Sequence, residues 1–438
     1  MSLLLSRQQI FQKLQPRKFF WSSDKLLTQL KQTKQRFEKV VHYSRVDYPH
    51  HECNPLLWQH GHVSAFYSKH VLDNLCTHQD EYTSDYETIL NYYDSHKTTL
   101  EQRQEPLLTY EETKRYYHHV TRRIESLLRQ YELSPQSSYL IMLGILHNEM
   151  HTESFLFTHF FHHKDIPYTI DYNDNLELQD EIEFISYKGG NFYQGSVDCQ
   201  RYLIFDNEMP SFVTFVKPFQ ISKYPVTESQ YLQFVMDGGY SKKDYWCENG
   251  WRWKEREKLN HPKYWSETKY SYEKRINQTK QNVNTDLPMI HISHYEASAF
   301  CRWYGGRLPT ETEFEYVATN GGKTVYPWGN DSTFDNCNIN YKRYLSPVNH
   351  YSGGENQKGV SQLIGNVWEW CEEEIYPYDG FTIDPVYREM SYPYFGFKKI
   401  CKGGSFAVPD CLIHPRYRNA QYPDCYQQFI GFRVCNDI

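Results

Sequence analysis

Residues 145–155, ILHNEMHTESF, set two histidines, His147 and His151, four positions apart. On an α-helix, residues i and i+4 share one face a turn apart, so both imidazoles can reach a single metal ion. The neighbours fit a buried helix: Ile141, Leu143, Ile145 and Leu146 precede the pair, and Phe155, Leu156 and Phe160 follow it. A rigid helix holds a metal better than a loop does. The spacing alone does not separate a metal site from two packed or solvated histidines. The chain has 20 histidines, and HFFHH (159–163) follows directly.

Working outward, a third ligand is at hand upstream. NPLLWQHGHVSAFYSKHVLDNL (54–75) reads as a second amphipathic helix, with Pro55 suited to its first turn. It offers His60, His62 and His70, and Gly61 before His62 would let another helix approach closely. One histidine from one helix and a pair from another is an ordinary way to build a metal centre in a helical bundle. The pair lacks the Glu-x-x-His pattern of di-iron bundles, and Glu149 falls one place late for the HExxH order of zinc peptidases. A mononuclear three-histidine centre is the simplest fit.

Two further helices complete the first 165 residues. One, capped by Ser22 or Ser23, carries Leu26, Leu27, Leu30, Phe37, Val40 and Val41 on a stripe. The other opens at Thr109 and runs through Tyr116, Ile124 and Leu128. Four such helices predict an up-and-down bundle with a ligand site in its core. Beyond the acidic stretch DIPYTIDYNDNLELQDE (165–181) the pattern changes, and from Phe184 short aromatic runs alternate with Gly, Pro and Asn clusters. One helix fits YPVTESQYLQFVMDGG, capped by Thr227 and stopped at Gly238, and another fits SHYEASAFCRWYGG, ending at Gly305. The remainder reads as short strands and long loops. The expected class is α+β, with a helical domain over 1–165, a linker over 166–183 and a second domain over 184–438.

The chain has 438 residues and a net charge of −7, a balance that gives no basis for a nucleic-acid or anionic-membrane partner. No run of 18 apolar residues occurs, and the LLL near Met1 has no secretory h-region behind it. Eleven cysteines without CxxC pairs read as reduced thiols in a cytoplasmic protein. The aromatic load is large, with 39 Tyr, 25 Phe and 10 Trp, which suits pockets and loop packing.

Seven ordered blocks carry a resemblance: GGNFYQGS (189–196), YPVTESQY (224–231), GGRLPTETEFEY (305–316), YPWGN (326–330), IGNVWEW (364–370), KGGSF (402–406) and GFRV (431–434). They resemble the formylglycine-generating, or sulfatase-modifying-factor, fold, a C-type-lectin-like domain. The N-terminal helices resemble a DinB-like four-helix bundle. Together the two modules look like the ergothioneine- and ovothiol-type sulfoxide synthases. FDNEMP (205–210) and the chain's end soon after GFRV look more like the ergothioneine branch.

The resemblance implies a non-haem Fe(II) held by His62 of the WxxGH motif, His147 and His151, with O2 as co-substrate. Three histidines leave about three coordination positions open, as in facial-triad oxygenases. There a cysteine-type thiol (cysteine or γ-glutamylcysteine) and the imidazole of hercynine would be joined through sulfur and oxidised to a sulfoxide. The family's proton-donating tyrosine lies in the loop before the GGS motif, where SYPYFGFKK (391–399) offers Tyr392 and Tyr394. Arg103 and Arg115 occupy the region from which family members bind the carboxylates of γ-glutamylcysteine. Asn419 matches the family stretch for the amino-acid end of the imidazole substrate. Ala420 and Gln421 replace an aromatic and an acidic residue there, and Met150 replaces a glutamine that contacts the imidazole. These departures keep open a 5-histidylcysteine sulfoxide synthase of ovothiol synthesis or a selenium-using relative. A zinc-dependent DinB-type thiol transferase and a non-catalytic binding protein are the readings from other classes. Cys411 is the one cysteine close after GGS, so the thiol pair of formylglycine generation is missing.

Overall fold

The sharpest helix starts in the computed structural model are the ones whose caps can be read from the letters. It describes residues 18–42, 53–75, 85–161, 181–276, 279–283, 285–342 and 344–438. The expected linker therefore lies largely outside the described residues. Among the described residues, the α-helices of seven or more residues before it are α1 (Ser23–His42), α2 (Leu56–Phe66), α3 (Tyr86–Tyr92), α4 (Tyr110–Gln130) and α5 (Pro135–Phe161). Thr109 caps α4 through a box in which its hydroxyl accepts from Glu112 N and the Glu112 carboxylate accepts from Thr109 N. Pro135 opens α5 where a missing N–H costs nothing, and Ser134 Oγ accepts from Ser137 N at 3.1 Å. α2 runs into a π-helical turn, Tyr67–Leu72, a rare form that favours functional sites.

The helices bury one another's apolar stripes. Leu26, Leu30, Phe37 and Val40 of α1, Val120 and Ile124 of α4 and the 140–146 run of α5 are all fully buried. Asp198–Ile204 and Ile383–Met390 cluster with this helical unit, although they lie far along the chain.

The other unit holds most of the described residues from 181 onward. Strands β1 (Phe184–Tyr187), β4 (Phe219–Ser222) and β12 (Cys435–Asp437) form one sheet in the order β1-β4-β12, and β2 (Gly190–Gln194) pairs with β3 (Phe212–Val216). A three-stranded meander joins β5 (Trp265–Glu267), β6 (Tyr272–Ile276) and β7 (Thr279–Asn282). The four-stranded sheet runs β10-β9-β8-β11, from β8 (Trp368–Glu374), β9 (Lys399–Lys402), β10 (Asn419–Gln421) and β11 (Ile430–Gly431). Helices α6 (Glu228–Met236) and α8 (His294–Tyr304) begin at Thr227 and Ser293, both in capping boxes, and α8 stops at Gly305 in the left-handed region.

Two helices here were not expected from the sequence. α7 (Glu248–Arg256) is capped by the Cys247 sulfur, which accepts from Gly250 N. α9 (Glu311–Ala318) is only eight residues long and starts from a Thr310–Glu313 box. In the middle of this unit Arg433 and Glu369 form a fully buried bidentate pair, with Arg433 also donating to the Ser222 and Ser361 carbonyls.

Candidate metal centre

α2 carries His62 and α5 carries His147 and His151. One ligand atom from each lies within 4.8 Å of the other two. His62 Nε2 and His147 Nε2 stand 3.2 Å apart. His62 Nδ1 is 2.6 Å from the Tyr93 carbonyl, so it is the protonated nitrogen and its Nε2 lone pair faces inward. His151 Nδ1 faces Gln59 Oε1 at 3.4 Å, which fixes its ring in the same sense. Outer hydrogen bonds of this kind set tautomer and aim in metal sites.

Burial pushes the His62 imidazole down to about 4, against the raising effect of the Tyr93 carbonyl. His147 and His151 are lowered well below the ordinary value, by burial first and then by neighbouring histidines. All three are neutral near pH 7, the state a metal ligand needs. Three convergent neutral imidazoles fit a transition ion of the Fe, Zn, Cu or Ni group. Flat apolar walls close the site: Trp58 stacks on His62 at 4.9 Å and Phe66 on His147 at 3.6 Å.

The other members of the two motifs do different work. His60 packs edge-on against Phe37 and Tyr117, away from the cluster. Glu149 accepts from Thr33 Oγ1 at 2.5 Å and pairs with Arg36, tying α1 to α5. Asn148 Oδ1 accepts from Tyr117 at 2.7 Å. Gly61 supplies the close approach expected of it, and the neighbour is the Tyr93 ring.

Arg103 donates to Asn54, to the Ser95 and Thr98 carbonyls and to the Thr98 hydroxyl, and lies 4.5 Å over Trp58. That is a structural use of most of its fork. Arg115 lines a cavity of about 1090 Å³ on the outer face of α4, to which none of the three histidines contributes. Met150 is half-buried on α5. In the second unit, Asn419 and Gln421 lie on β10 opposite Cys401 and Lys399. Tyr392 is exposed, and the Tyr394 ring lies under the Lys398 ammonium.

One tyrosine escaped the sequence reading. Tyr387 belongs to the helical unit, with its ring 5.7 Å from His147 and 5.0 Å from Phe66, edge-on to both. Asp384 sets it there. Its Oδ1 accepts from Val386 N and Tyr387 N in an Asx turn, while Oδ2 accepts from Tyr139 of α5 at 2.5 Å. Asp384-Pro385 was the available turn signal, hidden among five tyrosines between residues 376 and 394.

Residues 172–438 match the sulfatase-modifying factor enzyme 1-like domain family. The hercynine oxygenase of Mycobacterium tuberculosis is 34% identical over 245 residues, covering 53% of this chain and 56% of the relative. That of Mycolicibacterium smegmatis is 31% identical over 266 residues, covering 57% and 60%. The chain thus spans just over half the length of the curated relatives it matches. Among solved structures, PvdO from Pseudomonas aeruginosa is 20% identical with a TM-score of 0.40, over 60% of this chain and 96% of that one. No helix among the described residues is long and apolar enough to cross a membrane.

Proposed function

The chain belongs to the sulfatase-modifying-factor family, and from that premise we propose that it is a non-haem Fe(II), O2-dependent sulfoxide synthase. It joins a cysteine-type thiol, cysteine or γ-glutamylcysteine, to the imidazole of hercynine, the substrate in the name of its mycobacterial relatives, hercynine oxygenase. The observation that carries the reading is the convergence of His62, His147 and His151. The N-terminal helices then serve as a DinB-like bundle for the metal, and the family domain contributes Asn419 and Gln421 to the imidazole substrate. An iron held by His62, His147 and His151 would supply O2 activation and would bring the thiol and the imidazole together as neighbours.

The chain's own groups do the rest. Trp58 and Phe66 exclude water from the histidine cluster. The Tyr93 carbonyl and Gln59 hold the ligand rings in aim. Tyr387 takes the proton-donor role in place of Tyr392 and Tyr394, because its ring lies 5.7 Å from His147 and Asp384 holds its backbone N–H. From there the hydroxyl delivers a proton toward the reacting sulfur and oxygen, which favours the coupled sulfoxide over simple thiol oxidation. Replacement of the family's aromatic and acidic residues by Ala420 and Gln421 favours, as a second reading, unmethylated histidine as substrate.

The test is metal analysis of anaerobically purified protein with His62→Ala, His147→Ala and His151→Ala variants. One iron per chain in the parent, lost in each variant, supports the assignment. Zinc at that stoichiometry would make it a thiol transferase of the DinB type, and full metal occupancy in any variant removes that residue from the ligand set.

A further inference from the structure

Lys398 is a part-buried cation of the family domain for which no ion pair forms among the described residues. The two lysines nearby are matched: Lys399 meets Glu374 at 2.9 Å, and the buried Lys402 lies 3.6 Å from Glu315 and 3.8 Å from Glu311. Among the described residues no carboxylate comes within ion-pair distance of Lys398. Its ammonium rests on aromatic faces instead, 3.6 Å from the Tyr394 ring centre and 5.2 Å from that of Tyr422. Burial pulls it down to about 8, and the thiols of Cys425 and Cys401 nearby only partly oppose that. An ammonium taken partly out of water normally finds an acid, and a cation–π contact offsets only part of that cost.

The surroundings describe a receptor. Lys398 directly precedes β9, whose partner β10 carries Asn419 and Gln421, and Tyr422 directly follows β10. Tyr376, Tyr392, Phe397 and Tyr422 are all exposed large rings on this part of the unit. Gly396, with φ of 78°, sets the turn between Tyr394 and Lys398 and abuts the Tyr376 hydroxyl. Flat rings around a single cation complement a planar ring that bears an anion.

We propose that Lys398, framed by Tyr394 and Tyr422, binds the α-carboxylate of an imidazole amino acid. The site deepens the function proposed above and rests on it for the identity of the ring. The lysine offers a positive charge for the carboxylate of the amino-acid end, where Ala420 and Gln421 carry no charge. A ligand carboxylate completes the missing ion pair, and the tyrosine faces hold the lysine chain in place before the ligand arrives.

The experiment is pulsed acetylation of the full-length protein with acetic anhydride at pH 8, mapped by peptide mass spectrometry. L-histidine, its Nα-trimethyl betaine and histamine are the added ligands. Protection of Lys398 by either carboxylate ligand, at least fivefold at saturation, with no protection by histamine, is the expected result. Equal protection by histamine, or none by any of the three, overturns the proposal. In turnover, Lys398→Met should raise KM for the imidazole substrate roughly 10- to 100-fold with kcat held within a few-fold, and Lys398→Arg should restore it. An unchanged KM in Lys398→Met refutes the assignment. Selective protection in a protein that holds no iron upholds this site while refuting the iron reading, and full iron with unprotected Lys398 does the reverse.

Discussion

Gly61→Ala is the smallest change that should damage the metal centre without touching a ligand. A Cβ at residue 61 would stand 2.1 Å from Tyr93 Cε1 and 2.2 Å from Cζ, where ordinary contact needs about 3.5–4 Å. The ring has little room to yield, since Tyr93 is 1% exposed and packed by Trp58 and Tyr92. Overpacking of this kind costs about 1–3 kcal/mol, and alanine returns about 1 kcal/mol in helix propensity. The net is a loss of about 0–2 kcal/mol of stability. The larger effect is on the metal. The Tyr93 carbonyl accepts from His62 Nδ1, so displacing Tyr93 turns the His62 ring out of aim. Loss of an outer partner to a ligating histidine typically weakens metal affinity about 10- to 100-fold. Competitive titration against a chelator, beside a urea melt, measures both quantities. The double variant Gly61→Ala with Tyr93→Ala removes the clash but keeps the backbone carbonyl, and it should recover most of the affinity. Metal affinity within twofold of the parent in Gly61→Ala, with an unchanged melt, would refute the reasoning.

His60→Ala, one residue before Gly61, should keep its metal while His62→Ala loses it, as metal analysis would read; the opposite result would mean the wrong member of HGH was chosen. Tyr387→Phe removes one hydroxyl and keeps the ring against Phe66 and His147, so substrates should still bind. General acid catalysis is worth roughly 10²–10⁴-fold, so the ratio of sulfoxide to cysteine sulfinate under air should fall by about that factor, and an unchanged ratio would exclude its phenol as donor. Lys398→Met should stabilise the fold at pH 7. A lysine lowered from 10.5 to about 8 binds its proton more tightly in the unfolded chain, so it costs the fold up to about 3 kcal/mol below pH 8. That cost shrinks as pH rises from 8 to 10.5, so the gap between the urea midpoints of variant and parent should close over the same window. Equal midpoints at pH 7 would show that the ammonium pays no such penalty.

Legibility in the sequence follows the range of the interaction that decides each element. Caps act over three residues, so Thr109, Thr227 and Ser293 mark helix starts in the letters. The Cys247 cap of α7 also acts over three residues, but a thiol acceptor is outside the usual capping set, and the helix was taken for loop. The histidine pair could be read because helical spacing alone brings His147 and His151 together. The choice among His60, His62 and His70 could not be made from spacing, since it depends on which face of α2 meets α5. Tyr387 was out of reach for the same reason. His147 beside its ring, and Tyr139 that binds Asp384, lie some 240 residues earlier in the chain, and the closed Asp384 turn brings them together.

The HNEMH segment shows why a metal helix of this sort gives a poor amphipathic signal. α5 is buried on nearly every side from Tyr139 to Glu149, so its polar residues cannot all be surface residues. Each must be met by a partner or serve the site. Asn148 is met by Tyr117, Glu149 by Thr33 and Arg36, and Thr152 by its own helix through the Asn148 carbonyl. His147 Nδ1, like Asn148 Nδ2, is buried with no hydrogen-bond partner, and His147 Nε2 faces His62. A buried imidazole left in that position is costly unless something else binds it. The residues that anchor α5 to α1 and α4 are thus the ones that hold the two ligands at a fixed height. Glu149 falls outside zinc-peptidase spacing because its carboxylate is spent on Arg36, on the side of α5 that faces α1.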